Sequence, residues 1–161
     1  PVAIPGIVLG VALFLSYTRP PFTLYGTLWI LLLAYLTIEL PVAFQQIQAA
    51  VRSVHPELEE AGRILGASRL RMLRDVTAPL LTNGVIAAWC FIFIGVMREL
   101  SAAIMLFTAD TRVISVVIYD LNESGDLGPI SVLGIMLLFV SFAVVGLANR
   151  FRAAPPRRLV G

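Results

Sequence analysis

The stretch ELEEAGRILGASRLRMLRDVTAPLL, residues 57–81, gathers Glu57, Glu59, Glu60, Arg63, Arg69, Arg71, Arg74 and Asp75 into one short patch. Around it the chain is almost free of charge: residues 1–18, 20–38, 76–97 and 127–149 hold no Asp, Glu, Lys or Arg. Two short helices account for the patch. Pro56 suits a first helical position, and Glu57, Glu59 and Glu60 fall in the first turns, where the helix dipole favours negative charge. Gly66 ends that helix. Ser68 caps a second one, in which Leu70 and Leu73 share a face among Arg69, Arg71 and Arg74, and Pro79 opens the apolar helix that follows. The patch reads as helix, glycine turn and helix, held between two apolar segments.

Those flanking segments decide the class of protein. Apolar residues make up 58% of the chain and charged residues 14%, against about 25% charged in an average soluble domain. A bilayer crossing takes about 20 apolar residues, and four charge-free runs of that order leave too little polar surface for a protein in water. The expected fold is all-α, a polytopic membrane helical bundle with four transmembrane helices. The first runs from about Ile4 to Tyr17 and ends at the turn TRPPFTLYG. The second, from about Leu24 to Gln48, carries Glu39 and is kinked at Pro41. The third runs from about Pro79 to Phe107, interrupted by Arg98 and Glu99, and the fourth from about Pro129 to Asn149. Between the last two lies the polar segment TADTRVISVVIYDLNESGDLG, expected to be a loop.

Arginine placement sets the orientation, because basic residues accumulate in short cytoplasmic loops. Arg52, Arg63, Arg69, Arg71 and Arg74 in the patch, with Arg150, Arg152, Arg157 and Arg158 in the tail, put nine arginines on one side; Arg19 and Arg112 lie on the other. The patch is therefore expected in the cytoplasm, and the loop with Asp110, Asp120, Glu123 and Asp126 outside.

Enzyme chemistry finds no footing. Cys90 and His55 are each the single residue of their type, and no phosphate-binding G-x-x-x-x-G-K-[ST] loop is present. No catalytic residue, cofactor or metal site is expected. A DNA-reading helix-turn-helix shares the outline of the patch, but tethering between two membrane spans argues against nucleic acid as a partner.

The patch resembles the cytoplasmic loop of the permease subunits of bacterial ATP-binding-cassette importers, with its pattern of E-A-A, three residues, G, nine residues and I-x-L-P. Glu60, Ala61 and Gly62 stand at E-A-A, Gly66 at the glycine, and Val76, Thr77, Ala78 and Pro79 at I-x-L-P. Gly62, Val76 and Ala78 depart from the pattern and stay small or apolar. The resemblance implies that the loop, residues 52–78, seats on a cytoplasmic ATPase dimer and turns ATP-driven closure into movement of the membrane helices. It also implies a periplasmic or lipid-anchored substrate-binding protein, a second permease domain in the same or another chain, and a multi-pass location in the bacterial inner membrane among its lipids. Segments such as PGIVLGVAL, YGTLWILLLAY, RELSAAIMLF and VISVVIYDLNESGDLG look most like the C-terminal half of the ferric-iron type, whose relatives import thiamine, phosphonates or polyamines. On that reading residues 1–161 are the C-terminal part of one permease domain, with two further helices expected before Pro1.

Three charged residues inside apolar runs, Glu39, Arg98 and Glu99, are the candidates for the translocation path. Counting about 1.5 Å per residue from Pro79 puts Arg98 toward the external half, with Glu39 as its expected partner. Two other readings stay open: a secondary transporter or channel in which these three handle ions, and a structural membrane subunit in which they pin helices together.

Overall fold

The computed structural model describes residues 4–54, 57, 60, 62, 64 and 66–150. Among them the regular structure is helical throughout. In chain order the elements are α1 (Gly6–Tyr17), α2 (Leu28–Arg52), α3 (Arg69–Met72), a π turn (Leu73–Thr77), α4 (Ala78–Arg98), α5 (Ala103–Leu106), α6 (Ile114–Glu123) and α7 (Leu127–Arg150).

Three helices are long and apolar enough to cross a membrane: α2, the continuous helical stretch Arg69–Arg98, and α7. Their apolar faces stay largely uncovered by the chain itself, and none of the apolar window of α7 is buried. Leu138, Phe139 and Phe142 of α7 and Trp89 and Phe91 of α4 all stand exposed. A soluble protein could not leave so much apolar surface in water, so lipid or further protein covers it. The first expected crossing differs. The twelve residues of α1 rise about 18 Å, little more than half of the hydrocarbon layer.

The two central helices, α2 and α4, run antiparallel and approach closely through small residues. Gly84 lies against Ala50, and Gly95 lies against the Glu39 carboxylate. With Ala88 buried between them, these glycines let the backbones come together, as small residues do where lipid supplies no hydrophobic drive for helix association. α2 continues through Pro41 to Arg52 without a break.

The chief correction to the sequence reading concerns the third helix. It stops at Arg98 instead of continuing to Phe107: Glu99 is extended, with ψ 118°, and the chain turns back as α5 and α6. The segment read as a polar loop holds the helix α6 with Val116 buried, and the residues read as the end of the third helix pack beside it. Ala102, Ala103 and Leu106, with Val116 of α6, join Ile30, Leu31 and Ala34 of α2 in the best-buried cluster, flanked by Leu13, Phe14 and Tyr17 of α1. These side chains are as apolar as a spanning helix, which is why hydropathy merged them with α4. Lipid and protein satisfy apolar groups equally well, so composition does not tell the two apart.

The contacts set the depth of this break. Glu39 stands eleven residues into α2 from Leu28, about 16 Å along it, roughly half of a 30 Å hydrocarbon layer. Gly95 faces Glu39, so α4 ends level with the middle of α2, and residues beyond it pack against the first turns of α2 at Ile30, Leu31 and Ala34. Pro79, by the same pairing, lies past the level of Arg52.

Candidate functional site

Two places collect the chain's polar chemistry: the charged patch at the arginine-rich end, and the break at mid-membrane.

In the patch, Glu57, Glu60, Gly62 and Ile64 are helical. Gly66 has φ +78°, and the Ala67 N–H donates to the Gly62 carbonyl at 3.0 Å. That six-to-one bond across a left-handed glycine is a Schellman cap, the turn expected at Gly66. Ser68 then caps α3, its hydroxyl accepting the Arg71 N–H at 3.4 Å. Gly62 is pressed against the Met72 side chain, which is buried at 7% exposure. Glycine in place of the motif's second alanine thus makes room for the thioether. Ile64, Leu70 and Leu73 are 85%, 77% and 54% exposed, an apolar face with Arg69, Arg74 and the Arg71–Asp75 pair around it. Ala61, with His55, Pro56, Glu59 and Arg63, lies outside the described residues.

The second helix of the patch is not separate from the membrane helix, as the sequence suggested. α3, the π turn and α4 follow one another without a break, and Pro79 is the second residue of α4. Proline has no N–H for the carbonyl four residues back and crowds it. The helix widens just before that point, with the Ala78 N–H reaching the Leu73 carbonyl. The result is one helical rod of thirty residues, Arg69–Arg98, about 45 Å long, leading from the patch to the level of Glu39.

At the far end of the rod Arg98 is exposed, and Glu99 is half-buried. Arg98 closes α4, where the uncapped carbonyls favour a cation. The Glu99 carboxylate accepts the Ala102 N–H at 3.0 Å and the Ala103 N–H at 3.2 Å, while its backbone carbonyl accepts the Ser115 hydroxyl at 2.7 Å. Ion pairs among the described residues are Arg71–Asp75 and Arg112–Asp120. Glu39 and Arg98, expected to pair, do not. Instead Glu39 lines a cavity of about 210 Å³ with Tyr35, Leu36, Ile92 and Val96. On the other side of α2, Thr37 and Ile38 line a cavity of about 280 Å³ with Glu99, Ser101 and Gly6. Two carboxylates therefore flank α2 at one level, beside a helix break. Irregular backbone at this depth persists only where protein buries it or water reaches it, and broken helices at mid-membrane are where transporters hold cargo.

Tyr35, Thr37, Ser101 and Ser115 belong to this polar level and escaped the sequence reading. The adjacent pair of Arg98 and Glu99 carried a usable signal: a cation closing one helix and an acid opening the next mark a break, whereas two charges within one spanning helix do not. A wider apolar cleft of about 420 Å³ between α4 and α7, lined by Val85, Trp89 and Leu147, carries no polar group to do chemistry.

Residues 1–154 match the family model described as binding-protein-dependent transport system inner membrane component. The chain belongs to that family. It is a permease component of the ATP-binding-cassette importer class and a multi-pass inner-membrane protein. Among curated relatives of this permease domain, the Fe(3+)-transport system permease protein FbpB 2 of Haemophilus influenzae is 26% identical over 149 residues, 92% of this chain and 29% of the relative. The putative 2-aminoethylphosphonate transport system permease protein PhnV of Salmonella paratyphi A is 27% identical over 145 residues, 90% of this chain and 55% of the relative. A putative ABC transporter permease protein, ORF1, of Streptomyces antibioticus is 36% identical over 110 residues, 68% of this chain and 47% of the relative. The chain thus spans from under a third to about half the length of these relatives.

Proposed function

We propose that the chain is the C-terminal part of one permease domain and that residues 52–78 are its coupling loop, seated in the cytoplasm on an ATPase dimer. The observation that carries this reading is the Schellman turn at Gly66, which presents the exposed Leu70 and Leu73 at the head of a rod continuous into the membrane. A rigid knob with an apolar contact face and flanking charge is what a docking element needs, and an unbroken helix carries its displacement inward. Glu60, Ala61, Gly62, Gly66 and Pro79 belong to this element. ATP hydrolysis resides in the partner subunit, and a substrate-binding protein delivers the cargo from outside.

The translocation path passes the mid-membrane break. A guanidinium facing lipid at that depth costs at least about 2.5 kcal/mol on insertion scales, so the exposed Arg98 side of α4 is covered by a second permease domain or by water in the path. Glu39 stands beside the break in its own cavity. Of the three residues expected on the path, Glu99 is set apart, since its carboxylate is taken up by backbone amides.

The cargo proposed is ferric iron, supported by the ferric relative in Haemophilus influenzae. Phosphonate is the second reading, supported by the 2-aminoethylphosphonate relatives. The two cargoes differ in charge: a carboxylate such as Glu39 suits the cation and Arg98 suits the anion. Uptake measurements decide, with the chain reconstituted together with its ATPase and binding protein. Iron-55 uptake that labelled 2-aminoethylphosphonate does not match is the expected result, and the reverse replaces iron by phosphonate. Deleting residues 57–76 should abolish uptake while the protein still inserts. Uptake that survives the deletion would return the chain to a secondary transporter or a structural subunit.

A further inference from the structure

We infer that Glu99 is a positioning residue that ties the outer segment, residues 100–123, to the rod and so carries rod movement to the outer half of the membrane. This rests on the permease reading above. The argument begins with what joins the two pieces. α4 ends at Arg98, and beyond it a rigid helix no longer transmits anything. The covalent link is one extended residue, which by itself is a free hinge. Glu99 removes that freedom in two ways at once. Its carboxylate holds the amides of Ala102 and Ala103, fixing the start of α5 against the end of α4, and its carbonyl holds the Ser115 hydroxyl of α6. Hydrogen bonds to a charged acceptor are about twice as strong as neutral ones, and they strengthen further away from water.

The outer segment is in turn built to move as a unit. Ala102, Ala103, Leu106 and Val116 are fully buried in one cluster, which they share with Ile30, Leu31 and Ala34 of α2, and Thr108 and Thr111 close the turn between α5 and α6 through a backbone N–H to hydroxyl bond of 2.9 Å. Interlocked packing of this kind shifts as a body and does not deform continuously. Displacement of the rod at Arg69 therefore reaches the turn at Ala109 and Asp110 through the bonds at Glu99, with the packing of α5 and α6 on α1, α2 and the rod guiding the path.

The test reads both ends of the rod in the full chain, assembled with its ATPase subunits in lipid nanodiscs. Single cysteines at Ser68 and at Ala109, both exposed positions, are labelled with a water-soluble maleimide in the nucleotide-free state and after trapping with ATP and vanadate. In the native background both rates should change on trapping. Glu99→Leu should cut the change at Ala109 about tenfold, the worth of a charge-assisted hydrogen bond, and leave the change at Ser68 intact. Glu99→Gln keeps an acceptor oxygen for the two amides and should restore most of the response at Ala109. A Gln variant as silent as Leu means that the charge and not the bonding matters, and overturns the inference. So does a full response at Ala109 with Leu in place, or a native background in which Ser68 responds and Ala109 does not. If Glu99→Leu does not assemble, Ser115→Ala takes its place: a clearly reduced response at Ala109 supports the tie, and an unchanged one overturns it. Failure at Ser68 itself, with no change on trapping in the native chain, would strike the permease reading and is distinct from all of these.

Discussion

At Gly66 the backbone sits at φ +78° with nothing within 4 Å of where a Cβ would stand, so a side chain there is penalised by backbone conformation alone. For a β-branched residue that penalty is about 1–2 kcal/mol. Gly66→Val is expected to weaken recovery of the ATPase with the detergent-solubilised protein severalfold, and Gly66→Asn much less, because asparagine tolerates the left-handed region. Equal recovery with Val, Asn and Gly would remove the turn from the docking element. Gly62 is constrained differently. A Cβ there meets the far end of the Met72 side chain, which can swing away, so Gly62→Ala should be nearly silent in the same assay although it restores the motif's alanine.

Among the elements, the pairing of α2 with α4 separates two kinds of close approach. A Cβ at Gly84 runs into the Ala50 Cβ, which has nowhere to go; a Cβ at Gly95 comes within 2.7 Å of a Glu39 carboxylate oxygen at the end of a flexible chain. Gly84→Ala must therefore push the helices apart, while Gly95→Ala need only displace Glu39. Overpacking of the first kind costs about 1–3 kcal/mol. The expected outcome is a lowered thermal unfolding midpoint in detergent for Gly84→Ala, and a near-native midpoint with altered uptake for Gly95→Ala. If Gly95→Ala lowers the midpoint as much and leaves uptake intact, Glu39 is a packing residue and leaves the path. α1 packs beside the same break, with Gly10 buried against Ala102 and Met105, so the outer half is held on both flanks.

For the molecule as a whole, the arginine asymmetry and the packing of residues 99–126 imply opposite sides for the two ends of the rod. Cysteines at Ser68 and Ser124, each exposed, should label from opposite faces of sealed vesicles, Ser68 only from the cytoplasmic face. Labelling of both from one face would overturn the topology. Ser124 sits on the short turn that ends α6 just before the positive-φ Gly125 and the start of α7, so its side reports where α7 enters the membrane.

What the sequence determined by itself was local in origin. Runs of about 20 apolar residues named three of the four expected membrane helices, the first run giving only the short α1. A glycine between two amphipathic turns names a left-handed cap, and a serine before Arg69 names the next helix start, because each follows from the backbone preferences of a few neighbouring residues. The helical class, the membrane location and the shape of the patch were therefore legible. Tertiary structure alone decided where the third helix stops and what the residues beyond it do. Ala102, Ala103 and Leu106 are apolar enough to continue a span, and lipid would accept them as readily as protein does. The choice between those environments turns on Glu99, whose carboxylate meets amides three and four residues on, and whose carbonyl meets a hydroxyl sixteen residues away. The first two bonds are a local cap, which the adjacent Arg98 and Glu99 hinted at, but the bond to Ser115 and the burial of Ala102, Ala103 and Leu106 against α2 exist only once the chain has folded back.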